Sequence, residues 1–377
     1  MIQDPGLLLT LGAFALTFGI LVFVHEMGHY LAGRLFGVKA DVFSIGFGPE
    51  IGGFNDRRGT RWKLGAFPLG GYVRFAGDLD ASSRPDAEWL MLPAEERMRT
   101  FPSKPLWQRA IVIAAGPAVN LLLALLILAG FAMAYGVPTT PAMVGLVQPG
   151  SAAAAAGLRP DDRIVSLGGR QVETYTDMAD YTTLRPGERI GIDYVRGGHA
   201  ARVDAVIGTV VATDRFGNSA RIGRLGIGPV APSFALVGPF QAPVVATELI
   251  GAIVRDQVAG IGQIVTGRRS VDELGGPIRI AKMSGEQASL GLPTWIWWVA
   301  MLSINLGFIN LLPVPLLDGG HLLFYAIEAV RRRPVESHVQ EWAFRGGLAA
   351  ILALMLVVTF NDLGSFGLWK NLAGLIG

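Results

Sequence analysis

Apolar runs at four places divide the chain into membrane-length and polar segments. Leu7–Val24 contains no charged residue, and further apolar runs cover residues 107–134, 295–317 and 346–360, the last continuing more weakly to Leu368. A helix of about 20 apolar residues crosses a hydrocarbon core of ~30 Å. The pattern predicts a polytopic α-helical membrane protein with four transmembrane helices, in segments 1–37, 106–136, 293–322 and 346–377. The first run lacks a basic n-region and a small-residue cleavage site, so we expect it to be retained as a span.

Segment 38–105 is polar and holds two strand-like stretches. Asp41–Ile51 and Arg61–Phe75 combine β-branched and aromatic side chains with glycines, among them Gly46, Gly48 and Gly71. Glycine inside a strand often marks a place where another backbone comes close. The stretches predict a membrane-associated β-hairpin. Such a hairpin either offers its edge to an extended peptide or is an ordinary loop structure.

Segment 138–230 has short strand-like alternations, separated by an alanine-rich helical stretch and punctuated by Asp, Arg and Gly. This order resembles a bacterial PDZ domain, a fold that binds extended peptides or chain termini by strand addition. The pattern occurs once in the chain. Its expected peptide groove lies at Gly226, Ile227 and Gly228.

Segment 231–292 is intermediate in polarity. Gly238–Val265 contains only three charged residues, Glu248, Arg255 and Asp256. It predicts an amphipathic helix that either lies along the outer membrane surface or packs on the helix bundle. Gly275-Gly276-Pro277 is expected to interrupt this region.

The composition supports a membrane protein. Only 16% of the residues are charged and 51% are hydrophobic, with a mean hydropathy of +0.43, whereas soluble domains average about 25% charged residues. A net charge of +2 gives no indication of nucleic-acid binding. Because the chain has no cysteine, disulfides and thiolate metal ligands are excluded, and histidine and carboxylate remain as ligands for zinc.

The distribution of basic residues predicts the orientation of the spans. Segment 38–105 carries ten lysines and arginines: Lys39, Arg57, Arg58, Arg61, Lys63, Arg74, Arg84, Arg97, Arg99 and Lys104. The positive-inside rule places this segment in the cytoplasm. The basic run Arg331-Arg332-Arg333 marks 323–345 as a second cytoplasmic loop. Both termini and segment 138–230 then lie on the opposite side of the membrane.

A metal-ligand motif lies at the inner end of the first apolar run. His25 and His29 are four residues apart and flank Glu26, in a chain with five histidines in total. Residues four apart share one helix face, so both imidazoles can bind a single Zn²⁺. Glu26, beside the first ligand, is placed to accept a proton during hydrolysis. Ionisable groups inside a span indicate a functional site.

Asp318 is the predicted third ligand because of its depth in the membrane. A span entering from outside reaches Asp318 at the cytoplasmic side, the level expected for His25. Pro313 and Pro315 should unwind the backbone just before it, and such backbone is tolerated only against protein or a watery cavity. Zinc hydrolases typically use three protein ligands. His321 is a rival ligand, ranked as a supporting or structural residue.

These motifs in order resemble the site-2 protease family of intramembrane zinc metalloproteases. The resemblance rests on His25-Glu26-x-x-His29, Gly116-Pro117-x-x-Asn120, the PDZ-like segment and Asn310-x-x-Pro313-x-Pro315-x-x-Asp318-Gly319. Within the family, the pattern is similar to the regulator-of-sigma-E branch. It departs from the best-known members by having one PDZ unit instead of two in tandem.

The resemblance implies a zinc peptidase with one Zn²⁺ per chain, held by His25, His29 and Asp318, and with Glu26 as catalytic base. It implies a bacterial inner-membrane location, with both termini and the PDZ domain periplasmic and the active site near the cytoplasmic side. The implied substrate-binding residues are Asn310, Pro315, Gly46, Gly48, Gly71 and Tyr72.

The implied partners are the lipid bilayer and single-span membrane proteins already cut by a periplasmic protease, such as anti-sigma factors or remnant signal peptides. A peptide or chain terminus would bind the PDZ domain, and no nucleic-acid partner is expected. Two other functions use the same residues: a non-catalytic membrane adaptor and a metal transporter. An intact Glu26 argues against an adaptor.

Overall fold

The computed structural model describes residues 5–77, 91–213, 219–231, 233–267 and 275–365. The chain divides into two compact units. We call Met1–Gly130 together with Phe240–Gly377 the helical unit, and Phe131–Pro239 the β-rich unit. The predicted segments 1–37, 38–105 and 293–377 all lie in the helical unit.

The helical unit contains eight helices within the described residues. They are α1 (Leu7–Leu35), α2 (Ala94–Arg97), α3 (Leu106–Ala134), α6 (Ala242–Val265), α7 (Pro277–Ser289), α8 (Leu292–Leu311), α9 (Asp318–Arg331) and α10 (Ser337–Ser365). Helix α2 is a single short turn, and the last four residues of α3 belong to the β-rich unit. Among the described helices, α1, α3, α8 and α10 are long and apolar enough to span a membrane. Leu8 of α1 and Leu126 of α3 are exposed, as expected for side chains that face lipid. The protein is a membrane protein.

Two antiparallel strands, β1 (Ala40–Asn55) and β2 (Arg61–Phe75), form the predicted hairpin. Their pairing is irregular, because Phe43 lies opposite both Val73 and Trp62. Among the described residues, the end of β2, from Gly71 to Phe75, pairs only with the first part of β1. One edge of this segment is therefore open.

Aromatic contacts fix the hairpin to α1. The ring of Phe43 stacks on Trp62 with centroids 4.3 Å apart, and Tyr30 of α1 lies edge-on to both rings. Asp56, in the turn between the strands, accepts hydrogen bonds from the Trp62 indole at 3.1 Å and from the Tyr30 hydroxyl at 3.4 Å. The hairpin is thus held against the helix that carries the histidines.

The predicted third span is two helices joined by a turn. Helix α8 ends at Leu311 and α9 begins at Asp318, so the predicted range 293–322 was wrong as a single helix. Pro313 and Pro315 lack the N–H that would continue the helical ladder, which explains the break. The sequence-based expectation of unwound backbone before Asp318 agrees with this geometry.

The predicted loop 323–345 is mostly helical. Only residues 332–336 separate α9 from α10, which begins at Ser337 rather than at 346. The first part of α10 is polar, so the apolar pattern did not predict it as helix. Within it, Arg345 forms an ion pair with Glu341 one turn earlier. Helix α10 covers the predicted continuation as far as Ser365, whereas residues 366–368 and Arg84 of the basic segment lie outside the described residues.

The region before α8 contains a helix that the sequence pattern did not predict. Helix α7 packs closely on α1, where a Cβ at Gly285 would overlap Thr10. Asp362 of α10 accepts hydrogen bonds from the backbone N–H groups of Gly276 (3.1 Å) and Arg279 (2.9 Å), and so caps α7.

Helix α6 packs on the bundle, one of the two positions considered for Gly238–Val265. Ala246 is buried against residues of α3 and α8, including Ala124 and Ile304. The side-chain amide of Gln257 donates to Asn305 Oδ1 of α8 at 2.7 Å. Apolar packing and a polar contact therefore both hold α6 in place.

The β-rich unit contains two short helices and ten strands within the described residues. The helices are α4 (Ala152–Ala155) and α5 (Tyr175–Thr183). The strands are β3 (Val137–Thr139), β4 (Leu146–Val147), β5 (Arg163–Leu167), β6 (Arg170–Gln171), β7 (Arg189–Arg196), β8 (His199–Val206), β9 (Gly208–Thr213), β10 (Ser219–Arg224), β11 (Ile227–Gly228) and β12 (Ser233–Ala235). A four-stranded sheet has the order β6-β5-β7-β8, and the others pair as β9–β10, β4–β11 and β3–β12. Ile164, Leu167, Met178, Ile192 and Ile207 are nearly inaccessible and form its core.

Candidate metal centre

Three predicted ligands converge in the helical unit. His25 and His29 lie one turn apart on α1 and are 8% and 7% exposed, and Asp318 is the first residue of α9. The two Nε2 atoms are 3.2 Å apart. Asp318 Oδ2 lies 3.1 Å from Nε2 of His25 and 3.6 Å from Nε2 of His29. Three ligand atoms therefore surround one point.

The arrangement fits a tetrahedral zinc ion. Bonds of about 2.0–2.2 Å to nitrogen and carboxylate oxygen separate neighbouring ligand atoms by about 3.3–3.6 Å. The observed separations of 3.1–3.6 Å are close to this range. Asp318 Oδ2 is also buried and, among the described residues, has no hydrogen-bond partner. A buried acceptor facing two imidazole nitrogens is the environment that a cation completes.

The second nitrogen of each imidazole is held by α3. His29 Nδ1–H donates to the Val112 carbonyl at 2.9 Å. The side-chain amide of Asn120 lies 3.2 Å from Nδ1 of His25, and Asn120 Oδ1 is buried without a partner among the described residues. With Oδ1 turned toward this nitrogen, Asn120 accepts from Nδ1–H and leaves Nε2 free for metal. Such hydrogen bonds orient metal-binding histidines.

Glycines allow α1 and α3 to approach closely at this level. A Cβ at Gly116 would overlap the imidazole of His29, and a Cβ at Gly28 would overlap the carbonyl of Ala115. The motif Gly116-Pro117-x-x-Asn120 thus provides space for one histidine and a hydrogen bond to the other. Asn120 thus makes a buried polar contact with the first span.

Glu26 is buried between α1 and the hairpin. Glu26 is 8% exposed, and the backbone of Val73 in β2 lies close to its carboxylate. Gly71, two residues earlier in β2, allows this approach, because a Cβ there would lie 2.7 Å from Val22 Cγ1 and 3.2 Å from Glu26 Cγ. The open edge of β2 thus passes directly beside the carboxylate.

A cavity of about 270 Å³ contains this site. Its lining includes Glu26 and the three ligands together with Gly71, Tyr72, Asn310 and His321. Gly46, Gly48 and Pro315 are not among the described residues that line it. Gly46 and Gly48 pack near Phe67 farther along the hairpin, and the Pro315 backbone packs against Gly347 of α10.

Comparison with known proteins identifies the family. The model of peptidase family M50 matches residues 13–354. The chain belongs to peptidase family M50. A protein of Agrobacterium fabrum, named as a zinc metalloprotease, is 45% identical over 357 residues, covering 93% of this chain and 95% of its own. The metalloprotease MmpA of Caulobacter vibrioides is 36% identical over 395 residues, covering 98% and 99%.

A solved PDZ domain of an SdrC-like protein from Listeria monocytogenes is also similar to part of the chain. It is 24% identical and covers 25% of this chain and 92% of its own, with a TM-score of 0.19.

Membership of family M50, the site-2 proteases, makes this protein a membrane metalloendopeptidase. The names of its relatives support zinc as the metal. The family assignment agrees with the resemblance found from the sequence. The roles of individual site residues and the count of one zinc per chain stay predictions.

The predicted peptide groove of this M50 peptidase lies in the β-rich unit. Gly226, Ile227 and Gly228 line a cavity of about 400 Å³ beside α5. The carbonyls of Gly226 and Gly228 accept hydrogen bonds from the β4 side, whereas the carbonyl of Ile227 accepts from the Tyr175 hydroxyl at 2.9 Å. The three residues therefore border a groove, and its ligand stays a prediction.

Two features of the site were not predicted from the sequence. One is the position of the Val73 backbone beside Glu26, which depends on the register of the hairpin. The other is Leu316, which lines the cavity and has a positive φ of 81°. The dipeptide Pro315-Leu316 could have indicated a turn here, since proline favours the second position of a tight turn.

Proposed function

We propose that this M50 peptidase hydrolyses peptide bonds within the transmembrane segments of single-span membrane proteins. The observation that supports this is the burial of the ligands and Glu26 at one end of α1, a helix of membrane-spanning length. The cavity beside them is bordered by α1, α3, α8 and the open edge of β2. A substrate that reaches this cavity does so at membrane depth.

In the proposed reaction, Glu26 is the general base and acid. His25, His29 and Asp318 would hold the zinc ion, which would supply Lewis-acid chemistry that polarises a carbonyl and acidifies water. Glu26 accepts a proton from the attacking water and delivers it to the leaving amine. The backbone of Val73 beside the carboxylate and the burial of Glu26 restrict its movement during both transfers. Asn120 and the Val112 carbonyl keep the imidazoles oriented.

Substrate binding in this proposal uses the open edge of β2. A transmembrane helix must unwind before its backbone is accessible, and unsatisfied backbone groups are costly in lipid. Strand addition at Gly71 and Tyr72 would replace part of the lost hydrogen bonds. Asn310, near the end of α8, lines the same cavity and can donate to the substrate backbone or to the developing oxyanion.

We further propose a bacterial inner-membrane location with segment 38–105 in the cytoplasm, supported by its basic residues. Both termini and the predicted PDZ domain would be periplasmic, and the active site would lie near the cytoplasmic side. The substrates would then be stubs left by a periplasmic protease, including anti-sigma factors and remnant signal peptides. The protein would act in regulated intramembrane proteolysis.

The test is a comparison of membrane proteomes from cells that express the wild type or Glu26→Gln. We expect membrane-embedded stubs to accumulate only with Glu26→Gln, while purified Glu26→Gln retains zinc. An adaptor would give identical proteomes. A transporter would retain metal flux with Glu26→Gln and show no proteolysis.

A further inference from the structure

The turn that joins α8 to α9 contains a residue of unusual type for its position. Leu317 N–H donates to the Val314 carbonyl at 3.1 Å and closes a four-residue turn. Pro315 occupies the second position, and Leu316 occupies the third with φ 81°. These are the features of a type II turn, whose third position favours glycine or asparagine because other side chains are strained there.

Packing in a core does not account for a leucine at this position. Leu316 is 42% exposed, so a large part of its side chain makes no protein contact. It lines the cavity that contains Glu26, Asp318 and Asn310. Strained residues that persist in this way occur at functional sites, where the strain accompanies a role of the side chain.

The surroundings of Leu316 indicate that role. Val22 of α1, Ile113 of α3 and Leu306 of α8 line the same cavity. Together with Leu316 they provide an aliphatic wall close to the catalytic groups. An apolar side chain beside the cut bond would lose contact with water or lipid and pack on this wall.

We infer that Leu316 is a specificity-determining residue, whose side chain limits the size of the substrate residue accepted beside the scissile bond. The inference rests on the proposed function, since it requires a substrate in the cavity. A single methylene in an apolar pocket changes kcat/KM by about 10-fold or more. Removing the whole Leu316 side chain should therefore change the size preference measurably.

The experiment uses full-length protein and a panel of synthetic single-span peptides with one alanine- and leucine-rich span. Mass spectrometry on the wild-type reaction locates the cut, and the residues flanking it are then varied among Ala, Leu and Phe. With Leu316→Gly, we expect the Phe-to-Ala ratio of kcat/KM to rise about 10-fold. With Leu316→Met, which keeps an apolar side chain of similar volume at this position, we expect the Phe-to-Ala ratio of the wild type.

Leu323 provides the matched control. It is 43% exposed on α9 and is not among the described residues that line the cavity, so Leu323→Ala should keep the wild-type ratio. Bound zinc is measured for every variant. An unchanged ratio in zinc-loaded Leu316→Gly overturns the inference. A uniform loss on all substrates, or a loss of zinc, also overturns it, because Leu316 would then only position Asp318.

Cleavage of the panel by the wild type distinguishes failure of the Leu316 inference from failure of the proposed function. If it cuts the panel and Leu316→Gly shows the wild-type size preference, the inference alone fails. If zinc-loaded wild type cuts no peptide of the panel, the proposed function fails and the inference fails with it.

Discussion

Asn120 of α3 lies 3.2 Å from Nδ1 of His25 on α1, although 95 positions separate the two residues in the chain. The contact joins two membrane-length helices at the level of the metal ligands. It fixes which ring nitrogen of His25 is available to the metal, because a hydrogen bond at Nδ1 leaves Nε2 as the donor to zinc.

Replacing Asn120 should weaken metal binding without removing a ligand. We expect Asn120→Ala to lower zinc affinity about 10- to 100-fold, the usual cost of losing such a supporting hydrogen bond. Competition with a chromophoric chelator measures the affinity. Asn305→Ala is the control, since Asn305 contacts Gln257 of α6 rather than a ligand. An equal loss in both variants would indicate general destabilisation of the bundle.

Zinc content should depend on Asp318 and not on His321. We expect about one zinc per chain in purified protein, since three ligands form a complete site. Asp318→Ala should abolish zinc binding and cleavage, whereas His321→Ala should retain zinc. Elemental analysis of the purified variants measures both. The reverse result would make His321 the third ligand.

A side chain at Gly71 should impair catalysis more than metal binding. The added Cβ of Gly71→Ala would lie 2.6 Å from the Ser44 carbonyl oxygen and 2.7 Å from Val22 Cγ1, so the strand must shift away from Glu26. We expect cleavage to fall by about 10²-fold, the typical cost of a 1 Å displacement of catalytic groups. A kinetic assay with zinc-loaded protein tests this. Gly52→Ala in the same hairpin, where the Cβ has no neighbour within 4 Å, should remain active.

The β-rich unit should lose stability in acid through Asp162. This carboxylate is fully buried and accepts hydrogen bonds from Nε and Nη2 of Arg196, both at 2.7 Å. Burial alone raises the pKa of Asp162, but the hydrogen bonds from Arg196 and from Arg159 N–H outweigh it and lower the pKa below 3.8. The stabilisation is therefore complete above about pH 4 and is lost as the pH falls through the lower, folded-state pKa.

Asp162→Asn tests this assignment. We expect the free energy of unfolding of the β-rich unit to decrease by about 1–3 kcal/mol at pH 7 and its dependence on pH below 4 to weaken. Pulse proteolysis of the full-length protein measures both quantities. The neighbouring, exposed Asp161 is the control, and Asp161→Asn should behave as the wild type. The same acid response in wild type and Asp162→Asn would contradict the assignment.

Thiol labelling tests the proposed orientation in this cysteine-free chain. An impermeant reagent on cells with a permeabilised outer membrane should label Gln171→Cys in the β-rich unit and not Glu95→Cys in α2, both at exposed positions. The basic residues of segment 38–105 are the physical reason for this difference. The opposite labelling would invert the proposed topology.

Local features of the sequence were sufficient to predict much of the protein. Apolar runs predicted helices α1 and α3 closely, because the free energy of transfer into lipid is favourable for each apolar residue, whatever its neighbours. The spacing of His25 and His29 predicted a shared helix face, and the prolines predicted broken backbone before Asp318. Depth in the membrane then predicted that Asp318 would lie near the histidines, which the structure shows.

Only the tertiary structure revealed α7, the position of the Val73 backbone beside Glu26 and the strained turn at Leu316. Each depends on more than the local sequence. Asp362 caps α7, the hairpin register places Val73 beside Glu26, and the turn at Leu316 lies directly before α9, which begins at Asp318. Hydrophobic periodicity measures the average environment of a residue, whereas hydrogen bonds and backbone angles depend on specific neighbours. The sequence therefore determined which groups could bind a metal, and long-range packing decided how they come together and how they are oriented.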